Sequence, residues 1–526
     1  MELRADLTVS KLLRESAQRF PERIALKTRD VEFTYRQLDS EVDLAAGRLI
    51  ACGVKKGDHI GLLAEASSEC VIMIYALARA GAVCVMLNTS LGEAELLKAA
   101  DASKIRVLLY GDAFGGKPYS GLADSALCAC RLLEKTYYIG AAGISSGDVL
   151  KTVVPASPEA AARAEAAVLP GDTVQILFTS GSTDVPKMVR ISNYSRANLG
   201  RFQANDLAAE KTDIFLCALP LFHCFGMSVN VMAACAVGAQ LFIPESRKTR
   251  VLGDAVKRFG CTVFSSVPTL YFAMMHNSSL CITPDCSVQK GFIGGGQYTQ
   301  RQFKEIEDFF GMKLLSSLGL TEAGGGITST TPDDPFEVRS ATVGRMMEHL
   351  EGRIIDPKTG SQCPAGTAGE ICVRGYVVMQ GYFDPEGRTE NPVDPGGWLH
   401  TGDLGFFDGD GMLHMAGRLK DIIIRGGENI SPREIEAAAY ELSCVQDCCA
   451  VGVSDPHYGE EICLCVIPKK DSSADPDEIR KELSEKLSYY KVPKYILKMD
   501  QFPMTPTLKV SRESLKSIAC KLLNIS

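Results

Sequence analysis

Residues 172–192 read DTVQILFTSGSTDVPKMVRIS, an apolar run, a loop of small and hydroxylated residues, and a second run that alternates apolar and polar residues. VQILF predicts a buried strand, and MVRIS, which follows Lys187, predicts a half-buried one. Pro186 disfavours helix at the residue before it. The stretch therefore predicts strand–loop–strand, whereas a Walker A motif is strand–loop–helix with a GxxxxGK[ST] spacing that this stretch lacks.

The loop of this stretch offers groups that can surround a triphosphate. Hydroxyls, backbone N–H groups and the ammonium of Lys187 all bind phosphate, although a polar hairpin turn contains the same residue types. Asp184 stands in the middle of the loop, where a carboxylate would repel phosphate. We expect its side chain to point to solvent or to a neighbouring cation, with only its backbone facing a ligand.

Apolar strands alternate with amphipathic helices on both sides of the loop. HIGLLAE and AVCVMLN, and later DIFLCALPL, AQLFIPE and CTVFSSVP, read as strands, while ECVIMIYALARAGA and TRVLGDAVKRFG read as helices. This alternation predicts parallel sheets with helices on both faces. From about Gly344, short strands and frequent turns predict a smaller β-rich unit. An α+β tail of about 105 residues follows, and we expect its boundary between Arg418 and Asp421.

The composition narrows the class of protein. The chain has 526 residues, 46% hydrophobic and 23% charged, with a net charge of −8 and no long basic run, which argues against nucleic acid as a main partner. There is no apolar run long enough to span a membrane and no signal-peptide layout at the start, so we expect a cytoplasmic location. The 19 cysteines contain no CxxC pair, which favours buried thiols over a metal or disulfide framework.

Three further stretches carry chemistry. SSLGLTEAGGG (316–326) places Glu322 where a carboxylate ligand of Mg²⁺ would stand beside a phosphate. LHTGDLGFFDGDG (399–411) presents Asp403, which suits the two hydroxyls of a ribose, and PMTPTLKVSRESL (503–515) carries Lys509 after two threonines. Each stretch alone is typical of a surface loop. All of them in this order, with the charged and glycine-rich GRLKDIIIRGGENISPREIE (417–436), indicate one nucleotide site.

Together with GEICVRGYVVMQGYF and WLHTGDLG, these motifs resemble the acyl-adenylate-forming superfamily, which contains acyl-CoA synthetases, peptide-synthetase adenylation domains and firefly-type luciferases. The resemblance extends from FTYRQLDSEVDLAAGRL to Lys509. It implies a multidomain α/β fold in which residues 1–418 form two flavodoxin-like α/β subdomains and, from about residue 344, a small β-barrel. Residues 419–421 would be a hinge, and residues 422–526 a mobile α+β lid.

The resemblance implies an AMP-forming acid–thiol ligase that uses ATP, Mg²⁺ and coenzyme A. It would convert a carboxylic acid to an acyl-adenylate, release pyrophosphate, and transfer the acyl group to CoA as a thioester. The implied residues that bind ATP or AMP are Thr179, Ser180, Gly181, Ser182, Thr183, Lys187, Gly295, Gly296, Gln297, Leu318, Gly319, Asp403 and Arg418.

The resemblance also implies residues for catalysis and for the acceptor. Lys509 would lie between the substrate carboxylate and the α-phosphate, Thr321 would contact phosphate, and Glu322 would hold Mg²⁺. His223, in PLFHCFGM (220–227), would border the acyl pocket, although a satisfied core histidine would read the same. Lys420 occupies the hinge position, and the last two implied residues, at the pantetheine channel, are Gly426 and Gly427.

Four positions depart from the family pattern. Asp184 and Met188 stand where glycine is usual, Leu318 where an aromatic often stacks on adenine, and Leu508 where glycine often precedes the catalytic lysine. These departures leave one alternative open, a degenerate homologue that binds a nucleotide without catalysis. A second alternative is an enzyme that loads the acyl group onto a separate carrier protein.

The acid itself is only partly defined by the sequence. PLFHCFGM and FSSVPTLYFAMM (264–275) contain no acidic residue that could pair with an amino acid's ammonium, which favours a medium-chain fatty, alicyclic or aromatic acid. The sequence does not separate these three, and a homodimer also stays open.

Overall fold

The computed structural model describes residues 1–114, 117–140, 148–179, 187–280, 282–387, 389–426, 428–470, 472, 474–505 and 509–525. Several residues singled out by the sequence lie outside these ranges, namely Ser180, Gly181, Ser182, Thr183, Asp184, Gly427 and Leu508.

Within the described residues the chain forms 25 strands and 16 α-helices. The strands are β1 (Ile24–Lys27), β2 (Glu32–Thr34), β3 (His59–Leu63), β4 (Val83–Met86), β5 (Val107–Tyr110), β6 (Ala113–Phe114), β7 (Lys117–Pro118), β8 (Lys135–Tyr138), β9 (Thr173–Phe178), β10 (Met188–Ser192), β11 (Ile214–Leu216), β12 (Gln240–Phe242), β13 (Lys290–Ile293), β14 (Lys313–Leu318), β15 (Thr328–Ser329), β16 (Arg345–Met346), β17 (Leu350–Ile355), β18 (Gly369–Gly375), β19 (Leu399–Phe407), β20 (Leu413–Arg418), β21 (Ile423–Arg425), β22 (Glu428–Ile430), β23 (Val445–Asp455), β24 (Gly459–Pro468) and β25 (Tyr495–Lys498). The helices are α1 (Val9–Arg19), α2 (Tyr35–Ala51), α3 (Ser68–Ala80), α4 (Glu93–Ala102), α5 (Tyr119–Ala129), α6 (Pro158–Ala166), α7 (Asn193–Asp206), α8 (Cys224–Gly226), α9 (Ala233–Val237), α10 (Thr249–Phe259), α11 (Pro268–Met275), α12 (Gln300–Phe310), α13 (Phe336–Ala341), α14 (Pro432–Tyr440), α15 (Pro476–Lys486) and α16 (Arg512–Leu523).

The first sheet has six strands in the order β10-β9-β4-β3-β5-β8, all parallel except for the pair of β9 and β10. Its inner strands are buried on both faces, which is why they read as continuous apolar runs. Ile60 and Leu62 of β3 pack into a core with α2 and α3, and Leu63 packs into a second core with α4 and α5. The predicted arrangement of helices on both faces is confirmed.

The second sheet is built in two parts, β11-β12-β1-β2 and β13-β14-β15-β16. Single bridges of Val263 to Phe215 and to Lys290 join them. The strand predicted over CTVFSSVP is therefore wrong as a continuous strand. The N–H of Phe292 donates a hydrogen bond to the side-chain hydroxyl of Ser265, where a continuous strand would offer a main-chain carbonyl. Helix α11 begins at Pro268, so the extended segment ends early.

The β-rich unit expected from residue 344 is an antiparallel sheet in the order β17-β18-β19-β20. The tail then forms its own sheet, β22-β21-β24-β23 with β25 beside β24. Helices α14 and α15 cover one face of the tail sheet, and α16 covers the other.

The junction between these last two sheets is short. Strand β20 ends at Arg418, a 3₁₀ turn covers Leu419–Asp421, and β21 begins at Ile423. The hydroxyl of Ser431, at the start of α14, donates to the carbonyl of Ala416 at 2.6 Å, so the first helix of the tail lies against the end of β20. Of the helices that the structure describes, none has the length and apolarity needed to cross a membrane.

Candidate active site

Two antiparallel strands bound the phosphate-loop candidate. Phe178 at the end of β9 pairs with Met188 at the start of β10, and the Thr179 N–H donates to the carbonyl of Lys187 at 3.0 Å. The two strands of the strand–loop–strand prediction are confirmed, and residues 180–186 between them lie outside the described residues. Met188 is buried in the core of the first sheet, so the residue that replaces the usual glycine contributes to packing.

Tyr382 connects the lysine of this loop to the carboxylate of the LGLTE motif. Its hydroxyl donates to Oε1 of Glu322 at 2.9 Å, and the Nζ atom of Lys187 lies 5.1 Å from the centre of its ring. Burial, together with the Glu322 carboxylate, raises the pKa of Tyr382, so the phenol stays a neutral donor. A cation–π contact and a charge-assisted hydrogen bond therefore hold both charged groups to one aromatic ring.

Thr321 and Glu322 stand on a 3₁₀ turn directly after β14. Behind them the chain folds back so closely that a Cβ on Gly319 would lie 2.3 Å from the carbonyl oxygen of Gly325. Leu318, where an adenine-stacking aromatic is common, packs against the apolar cluster of the β-rich sheet. This position thus contributes to the core between two sheets.

The glycine strip after β13 forms another wall. Gly295 has a φ of +72°, in the region that favours glycine, and a Cβ on Gly296 would lie 3.0 Å from Cδ of Pro268. Gln297, the next residue, is exposed. The strip therefore presents backbone to the space in front of it.

Asp403 and Arg418 are direct neighbours on β19 and β20. Nε of Arg418 lies 2.7 Å from Oδ1 of Asp403, whose side chain is only 3% exposed, while half of the Arg418 side chain is exposed. Burial raises the pKa of Asp403, and the charges of Arg418 and Lys509 oppose that rise. The carboxylate is thus fixed by one cation and is close to a second.

Lys509 extends from the tail into this group. A Cβ on Gly295 would lie 3.3 Å from its Cε and 3.4 Å from its Nζ. Burial and the charge of Arg418 lower the pKa of Lys509, while Cys224 and Asp403 raise it. The residue keeps solvent-accessible surface, although protein atoms lie close around its ammonium.

Contacts of residues 504 and 505 with residues 509 and 510 fix the backbone at Lys509. Met504 and Val510 form an antiparallel bridge, the Thr505 N–H donates to the carbonyl of Lys509 at 2.7 Å, and the Lys509 N–H donates to the Thr505 hydroxyl at 3.2 Å.

His223 lies at the N-terminal end of α8, with its ring 4.9 Å from that of Phe222. Its Nε2 atom is buried and, among the described residues, has no hydrogen-bond partner. Burial lowers the pKa of His223 to about 4, and the charges of Lys509 and Arg247 add to the effect. The imidazole is therefore neutral at physiological pH. The alternative interpretation, a core histidine whose ring nitrogens are both hydrogen-bonded, therefore does not describe His223.

Two of the predicted residues stand outside this group. Lys420 is exposed on the 3₁₀ turn, and Gly426, with a φ of +58°, lies beside Tyr458 within the tail. No hydrogen bond or ion pair among the described residues connects either one to Lys509, Asp403 or Glu322.

Sequence reasoning missed Tyr382 and Cys224 as parts of the site. Tyr382 is within the quoted GEICVRGYVVMQGYF, but only its isolated antiparallel bridge with Val189 brings it beside Lys187. Cys224 follows His223, and its Sγ lies 3.8 Å from the Thr321 hydroxyl. Its chain position beside His223 was the only signal available.

The donors around Glu322 suit Mg²⁺. The carboxylate is held at one oxygen by Tyr382, and the hydroxyl of Thr321 stands on the same turn, so oxygen donors are available. Mg²⁺ prefers one or two carboxylates together with phosphate oxygens and water. Glu322 is thus a fitting ligand for a nucleotide-bound Mg²⁺.

Comparison with known proteins gives a consistent result. The AMP-binding enzyme family model matches residues 13–383, and the model of the AMP-binding enzyme C-terminal domain matches residues 434–509. The human mitochondrial medium-chain acyl-CoA ligase ACSF2 is 32% identical over 98% of this chain and 88% of its own length. The acyl-CoA ligase sidI of Aspergillus fumigatus is also 32% identical, over 98% and 92%. ATP-bound MatB from Rhodopseudomonas palustris superposes with a TM-score of 0.84 at 24% identity, over 97% of this chain and 99% of its own, and shares the fold.

The chain belongs to the AMP-binding enzyme family. Within it, the chain is an ATP-dependent, AMP-forming acid–thiol ligase that uses ATP, Mg²⁺ and CoA with a carboxylic acid.

Proposed function

We propose that this ligase activates a medium-chain fatty, alicyclic or aromatic acid at the site around Lys509, and that the structure has the arrangement needed for adenylation. The proposal rests on one observation: the Lys509 ammonium lies 3.4 Å from the Cβ position of Gly295, where the charges of Arg418 and Asp403 act on its pKa.

In adenylation, two anions have to approach each other. The substrate carboxylate attacks the α-phosphorus of ATP as pyrophosphate leaves, and Lys509 neutralises charge where both meet. A preorganised cation in a site of low dielectric is typically worth a few kcal/mol of the barrier. Asp403, which is held by Arg418, accepts hydrogen bonds from the ribose hydroxyls. The exposed backbone of Gly295 and Gly296 lies along the adenine.

The β- and γ-phosphates would lie between the loop before Lys187 and the LGLTE turn. The Lys187 ammonium and the Thr321 hydroxyl contact phosphate oxygens, and Tyr382 holds Glu322 in place for Mg²⁺. When bound, Mg²⁺ neutralises charge on the phosphates of the leaving pyrophosphate.

The thioester step requires a different position of Lys509. CoA has to reach the acyl carbon, and the thiol must approach a centre that Lys509 now covers. We propose that the lid, residues 422–526, rotates about residues 419–421, with Lys420 as the hinge residue. The rotation withdraws Lys509 and carries Gly426 and Gly427 to the pantetheine channel.

The acid would lie beside the neutral ring of His223. A neutral imidazole tolerates an apolar neighbour, and no acidic residue in PLFHCFGM or FSSVPTLYFAMM would bind an amino group. The relative named medium-chain acyl-CoA ligase supports a medium-chain acid within the proposed class.

A carboxylate panel tests the proposal. Pyrophosphate release should depend on both acid and ATP and be highest with acids of the proposed class. Thioester should form with free CoA. Release without thioester would point to a carrier-protein acceptor instead, and no release with any acid would contradict the proposal as a whole.

We also propose a reducing compartment for the protein, since the described cysteines are free and most are buried. Of the reducing compartments we propose the cytoplasm. The name of the human relative suggests the mitochondrion as the alternative. Fractionation of cells that express the tagged chain separates the two, and light scattering separates a monomer from a homodimer.

A further inference from the structure

Three side chains of different chemistry meet on one face of the β-rich sheet. Cys372 of β18 pairs directly with His400 of β19, and Glu370 stands two residues before Cys372, on the same face of its strand. The Sγ atom of Cys372 lies 3.7 Å from Nδ1 of His400, and that nitrogen lies 3.0 Å from Oε2 of Glu370. A thiol, an imidazole and a carboxylate therefore converge at one point.

The spacing of these atoms suits a tetrahedral zinc ion. Zn–S bonds of about 2.3 Å and Zn–N bonds of about 2.0 Å place sulfur and nitrogen ligands about 3.5 Å apart. Among the described residues, Glu370, Cys372 and His400 form a group whose ligand atoms all lie within 4.8 Å of one another. Glu370 and Cys372 are buried, but 34% of the His400 side chain is exposed, so water can reach a fourth position.

Neighbouring groups hold two of the three side chains in the orientation that a metal needs. The N–H of Gly402 donates to Oε1 of Glu370 at 3.0 Å, which leaves Oε2 towards His400. On the other side of the ring, Nε2 of His400 lies 3.8 Å from Oδ2 of Asp394. Metal-bound histidines usually direct their second nitrogen to a carboxylate, a carbonyl or water, and metal-bound carboxylates accept further hydrogen bonds. Glu370 and His400 therefore have the surroundings of metal ligands.

The charges around the group also fit a divalent cation. A thiolate and a carboxylate carry two negative charges together, and imidazole binds as a neutral ligand. One cation, Arg353, lies opposite Cys372 on β17. Its Nη2 atom is 3.2 Å from Oδ2 of Asp394, and its guanidinium lies 4.2 Å from the centre of the Trp398 ring. Asp394 therefore compensates Arg353, and the charge of the ligand set is left for the metal.

We propose that Glu370, Cys372 and His400 bind a zinc ion. Thiolate and imidazole ligands favour Zn²⁺, whereas Mg²⁺ prefers oxygen ligands, so this site is separate from the Mg²⁺ site at Glu322. The ligands come from two paired strands, which is why no CxxC spacing marks the site in the sequence. The proposal does not depend on the ligase reaction or on the acid that the enzyme activates.

The ion would lie at an irregular point of the sheet. Residues 401–403 of β19 stand opposite the single residue Ile371 of β18, so β19 bulges between its pairs with Glu370 and Cys372. Asp403, which forms the ion pair with Arg418, is the last residue of this bulge. A bound ion would thus fasten the two strands at the base of the bulge that carries Asp403.

Titration with Co²⁺, a coloured substitute for Zn²⁺, tests the site. The full-length chain is freed of metal with a chelator and titrated at pH 7.5 in excess Mg²⁺. One equivalent of Co²⁺ should produce a thiolate-to-cobalt charge-transfer band, and Zn²⁺ should abolish it. Cys372→Ser should lose the band, and Cys128→Ser, at an exposed cysteine, should keep it. A parent chain without the band, or a band that persists in Cys372→Ser, would overturn the proposal.

The fluorescence of Trp398 locates the bound ion. Trp398 is the single tryptophan of the chain and stands two residues before His400. Co²⁺ quenches the fluorescence of a nearby tryptophan, so the signal of the parent should fall with the same equivalent that produces the band, and Zn²⁺ should restore it. A band without quenching would place the ion at other cysteines and contradict the proposal. This measurement on the parent stands even where a variant does not fold.

Zn²⁺ affinity, measured by competition with Co²⁺, tests the other two ligands. Glu370→Gln keeps an oxygen for the Gly402 N–H but loses the charge, and His400→Gln loses the imidazole. Loss of even an outer-shell partner typically costs about 10- to 100-fold in metal affinity, so the Kd for Zn²⁺ should rise about tenfold or more in both variants. His457→Gln, at an exposed histidine, is the control and should bind as the parent does. An unchanged Kd in both ligand variants would refute the site.

Discussion

The Nζ atom of Lys509 lies 3.4 Å from the point where a side chain on Gly295 would begin. One residue belongs to the tail of the chain and the other to the strip after β13, so the tail reaches the candidate nucleotide site through a close contact at a glycine with a positive φ.

Lys509→Ala should reduce adenylation much more than thioester formation. Removal of one preorganised cation typically costs a factor of 10² to 10³ in rate. We expect a loss of about that size in acid-dependent pyrophosphate release, and a change below about threefold when preformed acyl-adenylate is supplied with CoA. Lys521→Ala, an exposed lysine of the same tail, is the control. Equal losses in both half-reactions would contradict the proposed withdrawal of Lys509.

Gly295→Ala should hinder the approach of Lys509. The new methyl group would meet the lysine side chain, and a positive φ costs a non-glycine residue about 1–2 kcal/mol. Pyrophosphate release should fall about tenfold or more, with the supplied acyl-adenylate still converted. Gly260→Ala is a matched control, because Gly260 has a φ of +64° and open space around it. If both variants lose the same activity, backbone strain explains the effect and the contact does not.

Tyr382→Phe should weaken the response to Mg²⁺. The variant loses the hydrogen bond to Glu322 but keeps an aromatic ring beside Lys187. Hydrogen bonds to charged groups contribute about 1.5–3 kcal/mol, so the Mg²⁺ concentration for half-maximal pyrophosphate release should rise about tenfold or more. Tyr376→Phe, a buried tyrosine whose hydroxyl has no described partner, should leave it unchanged. An unchanged Mg²⁺ requirement in Tyr382→Phe would show that Glu322 holds its position without this bond.

Because the folded protein keeps His223 neutral, we expect the free energy of unfolding to fall in mild acid. Its pKa is about 4 in the folded chain, against 6.5 ordinarily, so between these values the unfolded chain binds a proton that the folded chain does not. Above about pH 6.5 His223 is neutral in both states and does not lower the free energy of unfolding. As the pH falls from 6.5 towards 4, the free energy of unfolding decreases. The loss amounts to at most about 3 kcal/mol.

Thermal melts of His223→Asn measure this effect. Between pH 7 and pH 4.5 the melting temperature of the variant should fall less than that of the parent. His457→Asn, at an exposed histidine, should follow the parent. Parallel curves for His223→Asn and the parent would show that another group carries the pH dependence.

The sequence was informative where function depends on local chemistry. Asp403 and Lys509 are polar residues in short motifs, and their residue types are those that the proposed roles at a ribose and at a phosphate–carboxylate pair require. The apolar runs of β3 and β4 revealed a sheet buried on both faces, because burial selects residue type along the whole strand.

The rest depends on tertiary contacts. Tyr382 becomes a bridge only because its segment pairs with Val189, and Arg196 becomes a buried cation only where α7 passes behind Gly324. CTVFSSVP has the residue types of a strand, yet a side chain takes the place of a ladder carbonyl at Ser265. Whether an N–H bonds to a side-chain hydroxyl or to a main-chain carbonyl does not alter the pattern of apolar and polar residues, so a single sequence does not reveal it.

Arg418 is the last residue of β20, and the 3₁₀ turn of Leu419–Asp421 starts at the next peptide. The same residue forms the ion pair with Asp403. The proposed pivot of the lid, residues 419–421, therefore begins one residue after the ion pair with Asp403, and a rotation about it would act directly on that pair. In the proposed mechanism, Arg418 would then couple the occupied nucleotide pocket to the orientation of residues 422–526 without a separate messenger.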